Sequence, residues 1–196
     1  LLASSNTDIT ILGQGPDATV IQASSCNPIT ESCTNDHLLF WISSGTLTLN
    51  SLTLRHGKNT GDANGGAIYN AGTLIISGCV LTANRGKEGG AIKNVGGTLT
   101  ILNSTLFGNE ADDGGAVRNN GVMEITNSTF SGNSAPIRGG GLNNTGTATL
   151  TNTTFSGNSA YNGGGIYNGT SGIVNFTNTI VANSYPSSDC FNEGTL

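Results

Sequence analysis

Apolar and polar residues alternate with a period of two along most of this chain, in short runs that Asn or Gly stops. The alternation recurs in Thr46-Leu47-Thr48-Leu49, Thr73-Leu74-Ile75-Ile76, Thr98-Leu99-Thr100-Ile101, Val122-Met123-Glu124-Ile125 and Thr147-Ala148-Thr149-Leu150. Period two sends successive side chains to opposite faces of a strand, so Leu47, Leu49, Leu74, Ile76, Leu99 and Ile101 share an inward face. Thr46, Thr48 and Thr100 share the outward one. A second block ends in Asn: Ser104 to Asn109, Ser128 to Asn133 and Thr153 to Asn158. A third runs Gly65-Gly66-Ala67-Ile68-Tyr69-Asn70, then Gly89 to Asn94, Gly114 to Asn119, Gly139 to Asn144 and Gly163 to Asn168. Leu99 follows Leu74, Phe155 follows Phe130 and Gly114 follows Gly89, each by 25 positions. A period of that size is the signature of a solenoid.

Asn and Gly tolerate the left-handed backbone that a sharp corner requires. Asn103, Asn109 and Asn119 therefore mark three corners of one turn, and Asn70, Asn94, Asn127, Asn133, Asn144, Asn158 and Asn168 repeat them. Stacked corners predict amide ladders along the axis. Phe130, Phe155, Leu106, Leu81 and Ile180 form one inward column, and Ile68, Ile92, Val117, Leu142 and Ile166 another. Cys79 aligns with Ser104 and Ser128 as a small buried residue. The expected fold is all-β: a single-domain, right-handed parallel β-helix solenoid over residues 1–196. Each coil has three short strands and about 25 residues, and seven to eight coils stack about 4.8 Å apart. Residues 25–37 read as a loop insertion closed by a Cys26–Cys33 disulfide.

Composition narrows the function classes. Gly is abundant, 30 of 196 residues, without the third-residue period of collagen. Only 10 % of residues are charged and 35 % are hydrophobic, which excludes a disordered chain. A net charge of -5 argues against nucleic acid and anionic membrane surfaces as partners. The longest apolar runs, such as Leu38 to Ile42, are too short to cross a bilayer.

The order Gly-Gly-Ala-Ile-Tyr-Asn, Thr-Leu-x-Ile, Asn-Ser-Thr-Phe-Ser-Gly-Asn resembles the polymorphic outer-membrane-protein type of β-helix repeat. Ile9-Thr10-Ile11-Leu12-Gly13 and Leu52-Thr53-Leu54-Arg55-His56-Gly57 resemble its early coils, and Ser188-Asp189-Cys190 its late ones. The resemblance implies an exported bacterial surface protein with adhesive, coating or passenger roles, and says little of activity.

Other β-helices are polysaccharide lyases and hydrolases, which need carboxylates and a basic group converging on one face. Here Lys87-Glu88, Asp112-Asp113 and Arg138 lie one coil apart in the variable loops, Lys87 in register with Asp112 and Asp113 with Arg138. They read as exposed ion pairs. Glu110, Asp112 and Asp113 are the candidates for a calcium site, without an EF-hand or a nonapeptide Gly-Asp repeat. His56 falls on the column of Ala83, Gly108 and Gly132 and reads as structural. Tyr69, Lys93, Arg118, Asn143 and Tyr167 form an outward strip suited to a cation–π ladder or a shallow sugar-binding surface. The outward Thr columns suggest ice binding, interrupted by Ile75 and Glu124.

No enzyme, cofactor or metal is expected. The chain opens at Leu1-Leu2-Ala3 without Met, which reads as a processed export product. Gly194-Thr195-Leu196 repeats the start of a first block, so the chain is either a piece of a longer protein or meets its own copies head to tail. In the second case Leu1, Leu2, Cys190, Gly194, Thr195 and Leu196 face a neighbouring subunit. The expectation is a secreted or cell-surface structural or adhesive protein that assembles into a filament or sheath and has surface glycans as further partners. A carbohydrate-active β-helix enzyme or a sugar- or ice-binding module is the alternative.

Overall fold

A computed structural model describes residues 2–3, 7–27, 29–31, 37–61 and 64–196. Cys33 lies outside these residues, and so does its expected bridge to Cys26. The described residues are strands and turns without a helix. Each of the three sequence blocks builds its own parallel sheet. The first-block sheet stacks Asp8–Leu12, Thr46–Asn50, Thr73–Ser77, Thr98–Leu102, Val122–Thr126, Thr147–Thr151 and Ile173–Thr177. The second-block sheet has seven strands from Val20–Gln22 to Ile180–Ala182, and the third-block sheet has eight from Leu2–Ala3 to Cys190–Asn192.

Steps between neighbouring coils take 24 to 27 residues, as the contacts Asn109–Asn133, Asn84–Asn109 and Gly57–Asn84 show. The first step is longer, 38 residues from Asp8 to Thr46. The result is a β-solenoid of about six turns, fewer than the seven to eight expected, because the first turn takes 38 residues rather than about 25.

Register explains the core. Leu47, Leu74, Leu99, Met123, Ala148 and Val174 lie opposite one another, and so do Leu49, Ile76, Ile101, Ile125 and Leu150. All are buried. Burial of each large member contributes about 2 kcal/mol, so the stack gains core with every turn. Ile68, Ile92, Val117, Leu142 and Ile166 form the column expected of them. Leu81, Leu106, Phe130 and Phe155 also align, with the two Phe rings stacked at 4.6 Å. That column ends on Val181 and not on Ile180, which pairs with Thr154 and is 60 % exposed. The turn residues Asn152 and Asn178 fix the count: two positions beyond each, the strand still points outward.

Gly114-Gly115 shows why two glycines precede the third-block strands at Ile68, Ile92, Val117, Leu142 and Ile166. Gly114 is left-handed, with φ +68. A Cβ on Gly115 would lie 2.3 Å from the Gly140 carbonyl oxygen and 2.6 Å from the Ser134 nitrogen, so only glycine lets the coils approach.

A fourth, narrow ladder was not anticipated. Lys58–Asn59 pairs with Arg85–Gly86, and Ser159–Ala160 with Tyr185–Pro186. Single bridges Arg85–Glu110, Glu110–Ser134 and Ser134–Ser159 connect them. The strand-to-strand turn after each second block is thus itself stacked.

Candidate functional site

The corner asparagines separate into three kinds. Asn70, Asn94, Asn119, Asn144 and Asn168 are buried, and each passes an Nδ2–H to the Oδ1 of the next, ending on Asn192, at 2.7 to 2.9 Å. The same amides cap strand carbonyls, as Asn119 does for Thr147 at 3.1 Å. A second buried ladder runs Asn84, Asn109, Asn133, Asn158, each Nδ2 donating at 3.0 Å to the next Oδ1. There Oδ1 also accepts the neighbour's backbone N–H, and Nδ2 reaches a core-strand carbonyl such as that of Leu106, at 2.9 Å from Asn133.

The third ladder is exposed: Asn127 donates to Asn103, Asn152 to Asn127 and Asn178 to Asn152. Of Asn103, Asn109 and Asn119, only Asn103 has the left-handed backbone, with φ 49. Beside Asn109 the left-handed residue is Gly108, because the amide itself must turn inward to serve buried backbone. His56 is left-handed in that same column and its Nδ1 lies 3.0 Å from the Ser24 carbonyl oxygen. Asn84 was missed because Thr82-Ala83-Asn84 lacks the Gly-Asn ending of its equivalents.

The outward strip of the third-block sheet reads Trp41, Tyr69, Lys93, Arg118, Asn143, Tyr167, Phe191 in strict register. Loop residues fold over its middle. Glu88 Oε2 lies 2.9 Å from Lys93 Nζ and 4.0 Å from Arg118 Nε. Asp113 takes Arg138 bidentately at 3.0 and 2.9 Å, and Asn143 donates to the same carboxylate at 3.4 Å. Arg118 donates to the Asn143 amide oxygen, while its buried Nε lacks a hydrogen-bond acceptor. Desolvation lowers the Arg118 guanidinium from its ordinary value. Arg138 lies 5.4 Å over the Tyr167 ring, and Asp113 holds it firmly protonated. Tyr167 donates to Glu193 at 2.7 Å, and burial pushes its phenol up. Trp41 stacks on Tyr69 at 4.2 Å and Tyr167 on Phe191 at 5.7 Å. Ring faces and charges are spent on one another, so the strip staples coils together more than it offers a sugar-binding surface.

The calcium candidates do not converge. Glu110 pairs with Arg85 at 3.1 Å, Asp113 with Arg138, and Asp112 is exposed. Among the described residues no three His, Cys, Asp or Glu side chains gather into a cation site. Cys79 is buried, its N–H donating to Ser104 Oγ at 3.1 Å, and burial raises its thiol. Cys190 is a free, exposed cysteine in the last strand. Gly194 and Thr195 lie against the preceding coil, Thr195 N donating to the Gly172 carbonyl at 2.8 Å, and Leu196 is exposed. The side chains of Leu1 and Leu2 lie outside the described residues.

Surface depressions also lie among the described residues. One, about 350 Å³, is bordered by Pro16, Val20, Arg55, Val80 and Phe107 on the second-block sheet. The other, about 480 Å³, lies on the fourth ladder.

Fold and repeat together define a parallel β-solenoid built from one short unit. Residues 152–169, from left-handed Asn152 to the end of a third block, match the Chlamydia polymorphic membrane protein repeat. The match and the solenoid fit the family that the sequence resembles. That repeat belongs to surface and membrane proteins rather than to an enzyme family, and suggests a bacterial surface protein. No curated protein and no solved structure matches the chain.

Proposed function

We propose that this chain is a non-enzymatic structural or adhesive protein of the bacterial exterior, working as a stiff rod that displays variable outer faces. The pair of buried amide ladders carries the reading. Each links coil to coil through charge-neutral hydrogen bonds deep in the stack, so stiffness is independent of what the outward columns hold. Outer residues are then free to differ, as Thr48, Ile75, Thr100, Glu124 and Thr149 do in one column.

The finer part of the reading is head-to-tail assembly of copies. The last coil exposes Phe176, which continues the inward column of Leu150. A first coil of a second copy, laid there in parallel register, would extend the sheets and cover this side chain.

Small-angle scattering and electron microscopy over a wide concentration range test assembly. Growth in length at constant cross-section supports it, and a particle of one length at every concentration overturns it. Incubation with acidic polysaccharides tests the non-enzymatic part, which release of unsaturated or reducing ends would overturn.

A further inference from the structure

We infer that the trough on the fourth ladder is a binding site for a neutral oligosaccharide. This deepens the adhesive reading above and rests on it. The register makes the trough. Arg85, Glu110, Ser134, Ser159 and Tyr185 succeed one another in one column, one coil apart. Ala135 and Ala160, each 2 % exposed, border the floor of the trough. Pro136, Tyr161 and Pro186 complete the lining of this open depression of about 480 Å³.

The chemistry selects a sugar. Tyr161, in the trough's lining, is 72 % exposed, and Tyr185, paired with Ser159 at the end of the column, 77 %. Rings so exposed offer faces to the apolar C–H side of a pyranose, unlike the mutually stacked rings of the third-block strip. The serines of the column stand about 4.8 Å apart, a repeat suited to successive sugar hydroxyls. Glu110, held 3.1 Å from Arg85, adds carboxylate acceptors at one end, and the Arg85 guanidinium adds donors beside it. The pairing leaves that end without net charge, which favours a neutral glycan over an acidic one. A peptide strand is disfavoured, because the ladder consumes the backbone groups it would need: Ser134 N donates to Asn109, Ala135 N to Ser159 and Ser159 N to Asn133, at 2.8 to 2.9 Å. Tyr161 falls inside the segment that matches the family repeat, although the repeat's match assigns it no role.

The test uses saturation-transfer NMR and calorimetry on the intact chain with cellotriose, maltotriose and tri-N-acetylchitotriose. At least one binds in the millimolar range, with transfer from tyrosine ring protons. Tyr161→Ala weakens it about tenfold, Tyr161→Phe leaves it within about twofold, and circular dichroism stays unchanged in both. No binding by any of the three, or binding indifferent to Tyr161→Ala, overturns the site. Beads coated with the protein separate this proposal from the adhesive reading. Adhesion to glycan-bearing surfaces that persists in Tyr161→Ala overturns the trough and leaves adhesion standing. Sugar binding without adhesion supports the trough and removes the adhesive role.

Discussion

An asparagine at a corner of this solenoid has one of two jobs, and its environment assigns which. Asn133 accepts from the Asn109 backbone and amide and donates to Leu106 and Asn158, all inside the stack. Asn133→Ala strands those groups without water, and urea denaturation is expected to show a loss of about 3 kcal/mol. Asn127 is exposed and left-handed, with φ 51. Asn127→Ala is expected to cost only about 1 kcal/mol, from backbone strain, and Asn127→Gly less still. The sequence marked both residues as corners, because identity and spacing are the same; it did not show which amide turned inward, since that depends on the coil above. Cys79 was legible as a buried member of a serine column, through its alignment with Ser104 and Ser128. Burial raises its thiol, so the folded state holds that proton more tightly than the unfolded one. Its contribution is full below the ordinary thiol range, near about 8.5, and is lost as pH climbs through the raised value. Cys79→Ser is therefore expected to keep stability at neutral pH within about 1 kcal/mol and to flatten its decline in alkali, measured by denaturation in reductant from neutral to alkaline pH. Cys190 is raised in both proteins and cancels from the comparison.

Each element is held by contacts to the coil before and the coil after, so its tolerance depends on which atoms of those coils it meets. Gly115 sits against backbone atoms of Gly140 and Ser134, while a Cβ on Gly132 would meet nothing within 4 Å. Gly115→Ala must push two coils apart and is expected to cost about 3 kcal/mol. Gly132→Asn adds a residue type that accepts its left-handed φ of +59, and is expected to change stability by less than about 1 kcal/mol. Thermal and urea unfolding of the pair separates crowding from conformation. Both glycines look alike in the sequence. The three main strands were readable there, because each carries an apolar inward column and the period repeats the pattern from coil to coil. The fourth ladder was not. Its outward column changes from Lys58 through Glu110 to Tyr185, its inward column mixes Asn59, Gly86 and Pro186 with three Ala, and two-residue strands have too few positions to alternate. The trough was hidden for the same reason: Tyr161 and Pro136 read as loop residues until stacking set them side by side. The Tyr69–Tyr167 strip was readable as a column, but not the Glu88 and Asp113 loops that close over it.

At the scale of the whole molecule, the claim that coils are interchangeable units has a sharp consequence for deletions. Asn103 and Asn127 are equivalent corners 24 residues apart. Removing residues 103–126 joins Leu102 to Asn127 and brings each strand onto a partner of its own kind. Leu81 then meets Phe130, Ile101 meets Leu150, Asn84 meets Asn133 and Asn94 meets Asn144, so all inward columns and both buried ladders close again. Glu88 comes opposite Arg138, which keeps an opposite-charge pair across the gap. The protein lacking these 24 residues is expected to retain its β-sheet circular dichroism and cooperative unfolding, and to be shorter by about 4.8 Å in scattering. Removing Glu124 alone is expected to do far more damage. It slides Ile125 from the core to the outer face of its strand and breaks register with Ile101 and Leu150 on either side. That single deletion is expected to cost at least about 3 kcal/mol, more than the loss of the entire coil. The ordering is what distinguishes a stack of equivalent turns from a domain with one indivisible core, where the longer deletion would be the fatal one.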